Sequence, residues 1–550
     1  MKNILFSYKQ RPTYISKLQN ETFDLIIIGG GITGVGIALD ASSRGMKVAL
    51  VEKGDFASGT SSKSTKLIHG GLRYLKQFDF WLVKEVGSER AIVHKLAPHL
   101  VIPEKMVLPL IKDGTYGTWL TSIGLKIYDI LANVEGDDKR KMLTKKEALK
   151  TEPLLPKEIL EDAGFYAEYR TDDARLTIEV LKTALKYGTT ALNYCEVVDF
   201  KYDEGRISGV KVKDHITEKN LNISAKYVVN AAGPWVDELR QLNKSKTGKR
   251  LHLTKGVHLV FPYEKLPVKH SVYFDIADGR MMFAIPRGKT TYVGTTDTNY
   301  QEDKDDIEVN TVDALYLISA INNMFPSINL ALEDVQSSWA GVRPLIHEEG
   351  KSASELSRKD EIFVSDTELI SIAGGKLTGY RKMAERVVDL ICKKYTKRFD
   401  KKFKEIQTHK LKLVGGNYKN YKEVKKYEEI VFQQIKKSGL TKIDANYLVS
   451  NYGTQTDVIL SKFNEIEEEN TQIRLAKAEL WFCIYYEMVQ NPLDFFIRRT
   501  GRLYFDIKSV EQLKEPVLKE FSTIFSWNSE TNEYYNQLIE KEIYRASNFD

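Results

Sequence analysis

The chain has 550 residues, 42% of them hydrophobic, which is more than one hydrophobic core usually serves, so we expect two or three domains. The net charge is +6, from 81 basic and 75 acidic residues, and this balance gives no reason to expect nucleic-acid binding. The three cysteines lie far apart, which argues against a disulfide framework, an iron–sulfur cluster or a zinc site. We therefore expect a globular protein of a reducing compartment, without a metal.

The sequence predicts neither an export signal nor a membrane-spanning helix. Polar residues interrupt the first 19 positions, and no run of 18 apolar residues occurs. Residues 393–411 are strongly basic, and each lysine close to an anionic lipid surface would add about 1 kcal/mol of attraction. A solvated linker between two domains is nevertheless the favoured interpretation of this segment.

A glycine-rich turn near the N-terminus is the most informative pattern. Residues 24–28 predict a buried strand, and Gly29, Gly31 and Gly34 follow it at the G-x-G-x-x-G spacing. In this motif the first glycine makes the tight turn and the second lets the backbone approach a pyrophosphate. The third glycine lets the next helix, here predicted over 32–44, pack against the strand. The pattern predicts a dinucleotide site in a Rossmann-like α/β domain.

Glu52 stands at the end of the second predicted strand, residues 48–51. In the dinucleotide-binding fold an acid at this position accepts hydrogen bonds from a ribose hydroxyl. Its charge would repel the additional phosphate of NADP, so FAD and NAD both remain candidates.

Alternating strand-like and helical segments continue to residue 395. Strand-like stretches between 251 and 300 suggest an antiparallel sheet that carries the substrate. A second glycine turn, Gly374 and Gly375, lies between a predicted strand at 368–373 and a predicted helix over 377–394. We therefore predict a cofactor domain within 1–395, interleaved with substrate-binding parts near 90–190 and 245–345.

Beyond residue 405 the pattern becomes helical. Apolar residues recur three and four positions apart, and residues 476–489 form an aromatic and aliphatic helix. Such a stripe is typical of a core or of a face between domains. We expect residues 405–550 to form an all-helical cap without chemistry of its own.

Six segments closely resemble those of the FAD-dependent glycerol-3-phosphate dehydrogenases, in order and over the whole chain. They are residues 24–41 (DLIIIGGGITGVGIALDA), 61–75 (SSKSTKLIHGGLRYL), 229–237 (VNAAGPWVD), 294–297 (GTTD), 339–345 (WAGVRPL) and 374–385 (GGKLTGYRKMAE). One segment alone would indicate only the wider group of FAD-linked amine and amino-acid oxidases. The HGGLRYL, GVRPL and GGKLT sequences together point to this family.

The resemblance implies a non-covalent FAD in a fold of the glutathione-reductase or amino-acid-oxidase type. Its isoalloxazine would lie between the cofactor domain and the antiparallel substrate domain. The implied reaction is oxidation of glycerol 3-phosphate to dihydroxyacetone phosphate. Such a reaction removes a hydride from C–H and a proton from O–H, so the site needs a base and cations that hold the phosphate.

By resemblance, Arg343 and Lys376 hold the substrate phosphate, the first as a bidentate fork and the second as a point charge. Five further residues are implied or expected around the substrate: Arg73, Tyr74, Arg381, Thr295 and Asp297. At one position the chain departs from the family, because Gly379 stands where GGKLTTYRK has a threonine. Substrate contacts from that position are therefore in doubt.

His258 is the candidate base by resemblance, although its apolar neighbours would by themselves favour a core histidine. His69 competes for the role, since the glycines after it permit close approach to the flavin. Ser61 and Ser62 resemble residues that bind the pyrophosphate region. The turn at Gly374, Gly375 and Lys376 would place a helix N-terminus at the pyrimidine end of the flavin, where it stabilises the reduced anion.

The acceptor of the electrons is the remaining alternative. Oxidase members of the family use dioxygen and release hydrogen peroxide, but they tend to carry a central insert that this chain lacks. We therefore favour a quinone-linked dehydrogenase of the cytoplasm, peripherally bound to the inner face of the cell membrane through anionic lipid. An escort protein that binds a nucleotide without redox chemistry is the non-enzyme alternative. The resemblance also implies a homodimer, which no segment shows.

Overall fold

The structure, a computed structural model, describes residues 5–69, 80–112, 114, 139–347 and 360–549. Its strands, in chain order, are β1 (Thr22–Ile28), β2 (Val48–Val51), β3 (Leu67–Ile68), β4 (Ile102–Ile111), β5 (Lys141–Thr144), β6 (Leu160–Arg170), β7 (Thr190–Leu192), β8 (Cys195–Asp203), β9 (Arg206–Asp214), β10 (Lys219–Asn230), β11 (Leu251–Pro262), β12 (Ser271–Asp275), β13 (Met281–Arg287), β14 (Thr290–Gly294), β15 (Thr298–Asn299), β16 (Ser337–Ile346), β17 (Asp360–Val364) and β18 (Ile370–Gly374).

The α-helices of the same residues are α1 (Arg11–Asn20), α2 (Ile32–Ser43), α3 (Phe80–Leu96), α4 (Lys145–Thr151), α5 (Asp173–Lys186), α6 (Val236–Leu242), α7 (Thr311–Met324), α8 (Tyr380–Phe399), α9 (Tyr421–Ile435), α10 (Lys442–Tyr452), α11 (Thr456–Glu465), α12 (Thr471–Tyr486), α13 (Arg502–Phe505), α14 (Ile507–Phe525) and α15 (Ser529–Ser547). A π-helix covers Asp494–Arg499.

The first sheet has the order β17-β18-β10-β1-β2-β7, and β8 and β9 extend it from the long strand β10. Its centre is parallel, since β1 pairs in parallel with β2 and with β10, and β18 pairs in parallel with β10. Residues 25–28 are buried because helices cover the sheet, which explains why this strand is apolar at every position. On it, α2 packs between α5 and α8.

The second sheet has the order β15-β11-β14-β13-β12-β4-β6-β3, with β16 paired to β11 and β5 to β6. It is antiparallel except where β12 runs parallel to β4. This is the antiparallel sheet that the sequence predicts, and its role as the substrate sheet stays a prediction. At the end of the predicted part 90–190, however, α5 packs against α2 and β7 pairs with β2, so residues 173–192 accompany the first sheet.

The C-terminal helices share a hydrophobic core with the second sheet. Trp339 of β16 packs against Tyr504 and Phe505, and Tyr292 of β14 packs against Phe505. The helices from α9 to α15 form the all-helical domain expected after residue 405. Its aromatic residues serve as core, as the sequence pattern indicates.

No helix in the described part of the chain is long and apolar enough to cross a membrane. The basic segment 393–411 begins within α8, and Lys401 pairs with Asp24 at 3.0 Å. This segment is therefore partly helical and partly bound to the cofactor domain.

His99 is completely buried, and neither ring nitrogen has a hydrogen-bond partner among the described residues. Burial and the positive charges of Arg175 and Lys182 lower its pKa to about 3. The ring is therefore neutral in the folded protein at neutral pH.

We expect His99 to make the folded state less stable in acid. Below about pH 6.5 the unfolded chain binds a proton at this histidine that the folded protein does not bind, so stability falls as the pH falls, by about 2 kcal/mol between pH 7 and pH 5. The thermal midpoint of His99→Gln should therefore fall less over this interval than that of the wild type. Equal falls would show that His99 does not contribute.

Candidate active site

A cavity of about 1020 Å³ is lined by residues of both sheets. This is at the upper end of the ~300–1,000 Å³ typical of small-molecule sites. Gly29, Gly31 and Gly374 line it from the first sheet, and Thr295 and Arg343 line it from the second. The cavity therefore lies between the two sheets, where the sequence analysis expects the cofactor and substrate parts to meet.

The first glycine turn has the geometry that its sequence predicts. Gly29 has φ +111°, and a Cβ there would lie 2.6 Å from the carbonyl oxygen of Ala231. A Cβ at Gly34 would lie 1.9 Å from the carbonyl oxygen of Gly29, so only glycine lets α2 approach the end of β1. Gly31 lies at the N-terminus of α2 and borders the cavity. The helix N-terminus thus offers its N–H groups to an anion in the cavity.

Glu52 lies directly after β2 and lines the cavity. Its carboxylate accepts hydrogen bonds from the backbone N–H groups of Gly30 (2.6 Å) and Gly54 (2.9 Å). Burial raises the pKa of Glu52, while the two N–H groups act in the opposite direction. Its contact with a ribose stays a prediction, which the position supports.

The two predicted serines have different surroundings. Ser61 lines the cavity, and its Oγ accepts a hydrogen bond from the N–H of Ile32 at 2.9 Å, which caps α2. Ser62 is 1% exposed, and its hydroxyl donates to the carbonyl of Gly59 at 3.5 Å. Ser62 is outside the cavity lining formed by the described residues, so only Ser61 is in position for a pyrophosphate contact.

The second glycine turn follows β18 on the opposite wall. Gly374 and Gly375 have φ +81° and +85°, the left-handed region that favours glycine. Lys376 follows them, lines the cavity and precedes a short 3₁₀ turn that leads into α8. At Gly379 a Cβ would meet no atom within 4 Å. Lack of space therefore does not explain why glycine replaces the family's threonine here.

Arg343 is held by the loop after β14. Its guanidinium donates to the hydroxyl of Thr295 (2.7 Å), the carbonyl of Thr296 (3.0 Å) and the carboxylate of Asp297 (3.1 Å). A Cβ at Gly256 on β11 would lie 2.2 Å from its Nη2, so this glycine makes room for the fork. Asp297 thus acts on Arg343 as a neutralising and positioning partner.

Not all of the predicted substrate residues meet at the cavity. Arg381 is buried, donates to Glu89 at 2.8 Å and lies outside the described lining. This ion pair joins α8 to α3. It also gives each buried charge a partner, which offsets the cost of burying it. Arg73 and Tyr74 lie outside the described residues.

The two candidate bases lie at different depths. His69 lines the cavity directly after β3, and its ring centroid lies 6.1 Å from that of Phe283, with the ring planes 72° apart. His258 on β11 is 1% exposed and lies outside the described lining. Burial and the charges of Arg343 and Lys66 lower the pKa of His258 well below its usual value, so the ring is neutral.

Sequence reasoning missed a buried ionic contact between the C-terminal domain and the cofactor loop. Asp55 lies between Glu52 and Ser61 and is 1% exposed. Arg499 donates to it at 2.7 and 3.0 Å, and Arg498 donates at 2.6 Å. Burial by itself would raise the pKa of Asp55, but the two arginines lower it to about 2. In the sequence, the only sign of this contact is that Asp55 is an acidic residue close after Glu52.

Comparison with known proteins agrees with this geometry. A family model described as FAD dependent oxidoreductase matches residues 24–374, and one described as the C-terminal domain of alpha-glycerophosphate oxidase matches residues 406–532. The chain is 48% identical to the aerobic glycerol-3-phosphate dehydrogenase of Bacillus subtilis (strain 168), over 99% of both chains. It is 49% identical to that of Staphylococcus aureus (strain USA300), over 96% of both chains.

A solved structure is also similar over the full length. The glycerol-3-phosphate dehydrogenase from Bacillus halodurans, complexed with FAD, has a TM-score of 0.84 and 43% identity, and 99% of each chain is covered. The chain belongs to the aerobic glycerol-3-phosphate dehydrogenase family. It is an FAD-dependent oxidoreductase, and the family, fold class and cofactor predicted from the sequence are confirmed.

The residues of the cavity fit FAD. The first glycine turn and the N-terminus of α2 suit the pyrophosphate, and Glu52 suits a ribose. Gly374 and Gly375 offer a second turn for the other end of the cofactor. No cluster of three or more potential metal ligands occurs among the described residues.

We expect Gly34→Ala to abolish FAD binding, because its Cβ would lie 1.9 Å from the carbonyl oxygen of Gly29 and force α2 away from β1. Gly379→Ala is the matched control, since nothing lies within 4 Å of its Cβ. The flavin absorbance per mole of purified protein measures both. Full flavin content in Gly34→Ala would contradict the assigned close approach.

We expect Arg499→Met to weaken FAD binding although the residue lies in the C-terminal domain. Asp55 would lose its bidentate partner, and breaking a buried ion pair costs about 3–5 kcal/mol. Isothermal titration of the flavin-free variant with FAD gives the affinity. Lys211→Met, which breaks an exposed pair with Asp199, should leave the affinity unchanged. An unchanged FAD affinity in Arg499→Met would show that this contact between the two domains does not support FAD binding.

Proposed function

We propose that this protein oxidises sn-glycerol 3-phosphate to dihydroxyacetone phosphate and passes the electrons to a membrane quinone. The observation that carries the proposal is that Arg343 and Lys376 both line the cavity that fits FAD. Two cations there suit an anionic substrate, and an amino-acid oxidase would have no need of a phosphate clamp. The names of the relatives described above support the same substrate.

In the proposal Arg343 binds the phosphate. Three oxygen acceptors, from Thr295, Thr296 and Asp297, fix the plane of its guanidinium before the substrate arrives. A fixed fork loses little conformational freedom on binding, and its bidentate geometry matches a phosphate. Lys376 adds a second positive charge without a directional requirement.

His258 is the proposed base. Its lowered pKa keeps the imidazole neutral, as a proton acceptor must be, whereas a protonated ring would add a charge next to Arg343 and Lys66. FAD, when bound, supplies the hydride acceptor. Oxidation then needs only that the substrate carbon faces the flavin while its hydroxyl proton leaves towards the base. His69 remains the competing candidate.

The quinone requires contact with a membrane surface, which we propose to be anionic lipid at the inner face of the cell membrane. The basic segment 393–411 supplies part of the positive charge that such a surface would attract. The similarity of residues 406–532 to an oxidase domain keeps dioxygen as the alternative acceptor. A homodimer stays a prediction from the resemblance.

Arg343→Ala should raise the glycerol 3-phosphate concentration that half-reduces the flavin in an anaerobic titration. Loss of a charged hydrogen-bond partner costs about 1.5–3 kcal/mol, a factor of about 10 to 150. FAD content should stay at the wild-type level, and Arg343→Lys should lose less than Arg343→Ala. Equal loss of substrate use and of flavin would contradict the role, and an unreduced wild-type flavin would overturn the substrate itself.

The electron acceptor can be identified by reoxidising the reduced protein. With anionic vesicles that contain a quinone we expect fast recovery of the flavin absorbance and sedimentation of the protein with the vesicles at low salt. Recovery in air should be slow, because the reduced flavin of a dehydrogenase passes its electrons to dioxygen only slowly. Fast recovery in air with one peroxide per flavin would make the protein an oxidase, and failure to sediment would remove the membrane contact.

A further inference from the structure

Thr65 connects the buried imidazole of His258 to the cavity. The threonine lines the cavity, while His258 is 1% exposed and lies outside the described lining. Oγ1 of Thr65 lies 2.9 Å from Nε2 of His258, within hydrogen-bond distance. The hydroxyl of Thr65 therefore offers a hydrogen-bonded path between the cavity and Nε2.

The imidazole itself is fixed in place. Its ring stacks on Trp339, with centroids 4.7 Å apart and planes 10° from parallel. On its other side a Cβ at Gly294 would lie 2.2 Å from Cδ2, so the ring fills the space that this glycine leaves. Nδ1 has no hydrogen-bond partner among the described residues. Nε2 is thus the ring nitrogen with a polar neighbour on the route to the cavity.

The backbone around Thr65 is held from several directions. Asp173 at the start of α5 accepts hydrogen bonds from the N–H (3.0 Å) and the hydroxyl (2.6 Å) of Ser64. Lys66 donates to the same carboxylate at 2.5 Å. The carbonyl of Thr65 accepts a hydrogen bond from the hydroxyl of Tyr292 at 3.1 Å. The hydroxyl of Thr65 is therefore positioned before any substrate binds.

We propose that the hydroxyl of Thr65 relays the substrate's hydroxyl proton to Nε2 of His258, because it borders the cavity and lies within hydrogen-bond distance of the ring. The proposal rests on the proposed oxidation of glycerol 3-phosphate. The substrate O–H bond breaks as its proton passes to Oγ1, while the proton of Thr65 passes to Nε2. The hydride leaves the same carbon for FAD. Thr65 ends as a neutral hydroxyl, and the imidazolium returns its proton by the reverse path after the product leaves.

The charges around His258 couple the relay to substrate binding. Arg343 and Lys66 are the cations that face the ring; Asp297 pairs with the first and Asp173 with the second. A phosphate bound to Arg343 adds negative charge next to the cation that most opposes protonation of the ring. The relay therefore accepts a proton more readily with substrate bound than without it.

The test compares Thr65→Val, which removes the hydroxyl at nearly constant shape, with Thr65→Ser, which keeps it. Rapid mixing with glycerol 3-phosphate under anaerobic conditions gives the rate of flavin reduction and the substrate Kd. We expect Thr65→Val to reduce the rate at least about 100-fold with the Kd within about threefold, because a positioned proton-transfer group contributes ~10²–10⁴-fold. Thr65→Ser should stay within about tenfold of the wild type.

Thr291→Val is the matched control. Thr291 lies on β14, is fully buried, and donates its hydroxyl to the carbonyl of Leu266 at 2.7 Å, away from the cavity lining. This variant likewise loses one threonine hydroxyl, but one that is away from the cavity, and its reduction rate should equal that of the wild type. The flavin content and the thermal midpoint of each variant show whether it folds. If Thr65→Val does not fold, Thr65→Ala takes its place.

A double variant separates a relay from a structural role. If Thr65 acts through His258, Thr65→Val should slow His258→Asn by less than about threefold, because the path is already broken. NMR of histidine-labelled protein gives a readout independent of turnover. The ring signals of His258, assigned with His258→Asn, should move in Thr65→Val and stay in Thr65→Ser.

Four results would overturn the relay. They are a wild-type reduction rate in Thr65→Val, equal losses in the valine and serine variants, full additivity in the double variant, and His258 signals that do not respond to Thr65. After any of these four results, the proposed function still holds if glycerol 3-phosphate reduces the flavin of the wild-type protein. A wild-type flavin that the substrate does not reduce overturns the proposed function and the relay together.

Discussion

The close approach of α2 to the end of β1 is the constraint on which the rest of the site depends. It exists because Gly34 lies against the carbonyl of Gly29, at a distance that leaves no room for a Cβ. The same approach brings the N-terminus of α2 to the cavity wall, where Ser61 caps it. If the helix were displaced by the width of a methyl group, its N-terminus, the cap and Glu52 would no longer border one cavity.

The second glycine turn and the strands of the substrate sheet complete the cavity from the other side. The first turn follows β1 and the second follows β18, and both strands pair with β10. Gly29 and Gly374 are 345 positions apart in sequence, but only β10 separates their strands in the sheet. Arg343 reaches the cavity from β16, whose pairing with β11 also sets it beside Gly256. The two cations proposed to hold the substrate phosphate therefore come from different sheets, Arg343 from β16 of the second sheet and Lys376 from the turn after β18 of the first.

The helical domain supports the site from outside the described cavity lining, a positioning role beyond the expected cap without chemistry of its own. Its Arg499 holds Asp55 in the cofactor loop, and its Glu487 accepts two hydrogen bonds from Arg175 of α5. All of these charges are buried, so each needs its partner to offset the cost of desolvation. The domain therefore fixes the loop that carries Glu52 and Ser61 rather than merely covering it.

Local features of the sequence predicted what depends on local chemistry. The apolar strand, the glycine spacing and Glu52 follow from what a dinucleotide-binding turn requires, and the structure places Gly29, Gly31 and Glu52 at the cavity. The positions of Arg381 and Ser62 did not follow, since burial and pairing with Glu89 or Gly59 depend on residues that are remote in sequence or on the path of a loop. The burial of His258 behind Thr65 depends on the pairing of β11 with β14 and β16, which no local pattern specifies.

The most direct test of the central claim is a crystal structure of the FAD-bound protein with dihydroxyacetone phosphate. The account predicts the phosphate of this product within hydrogen-bond distance of Arg343 and Lys376, with its carbonyl carbon next to the flavin and its carbonyl oxygen on the side of Thr65. A phosphate bound elsewhere in the cavity, with Arg343 still paired only to Thr295, Thr296 and Asp297, would contradict the account.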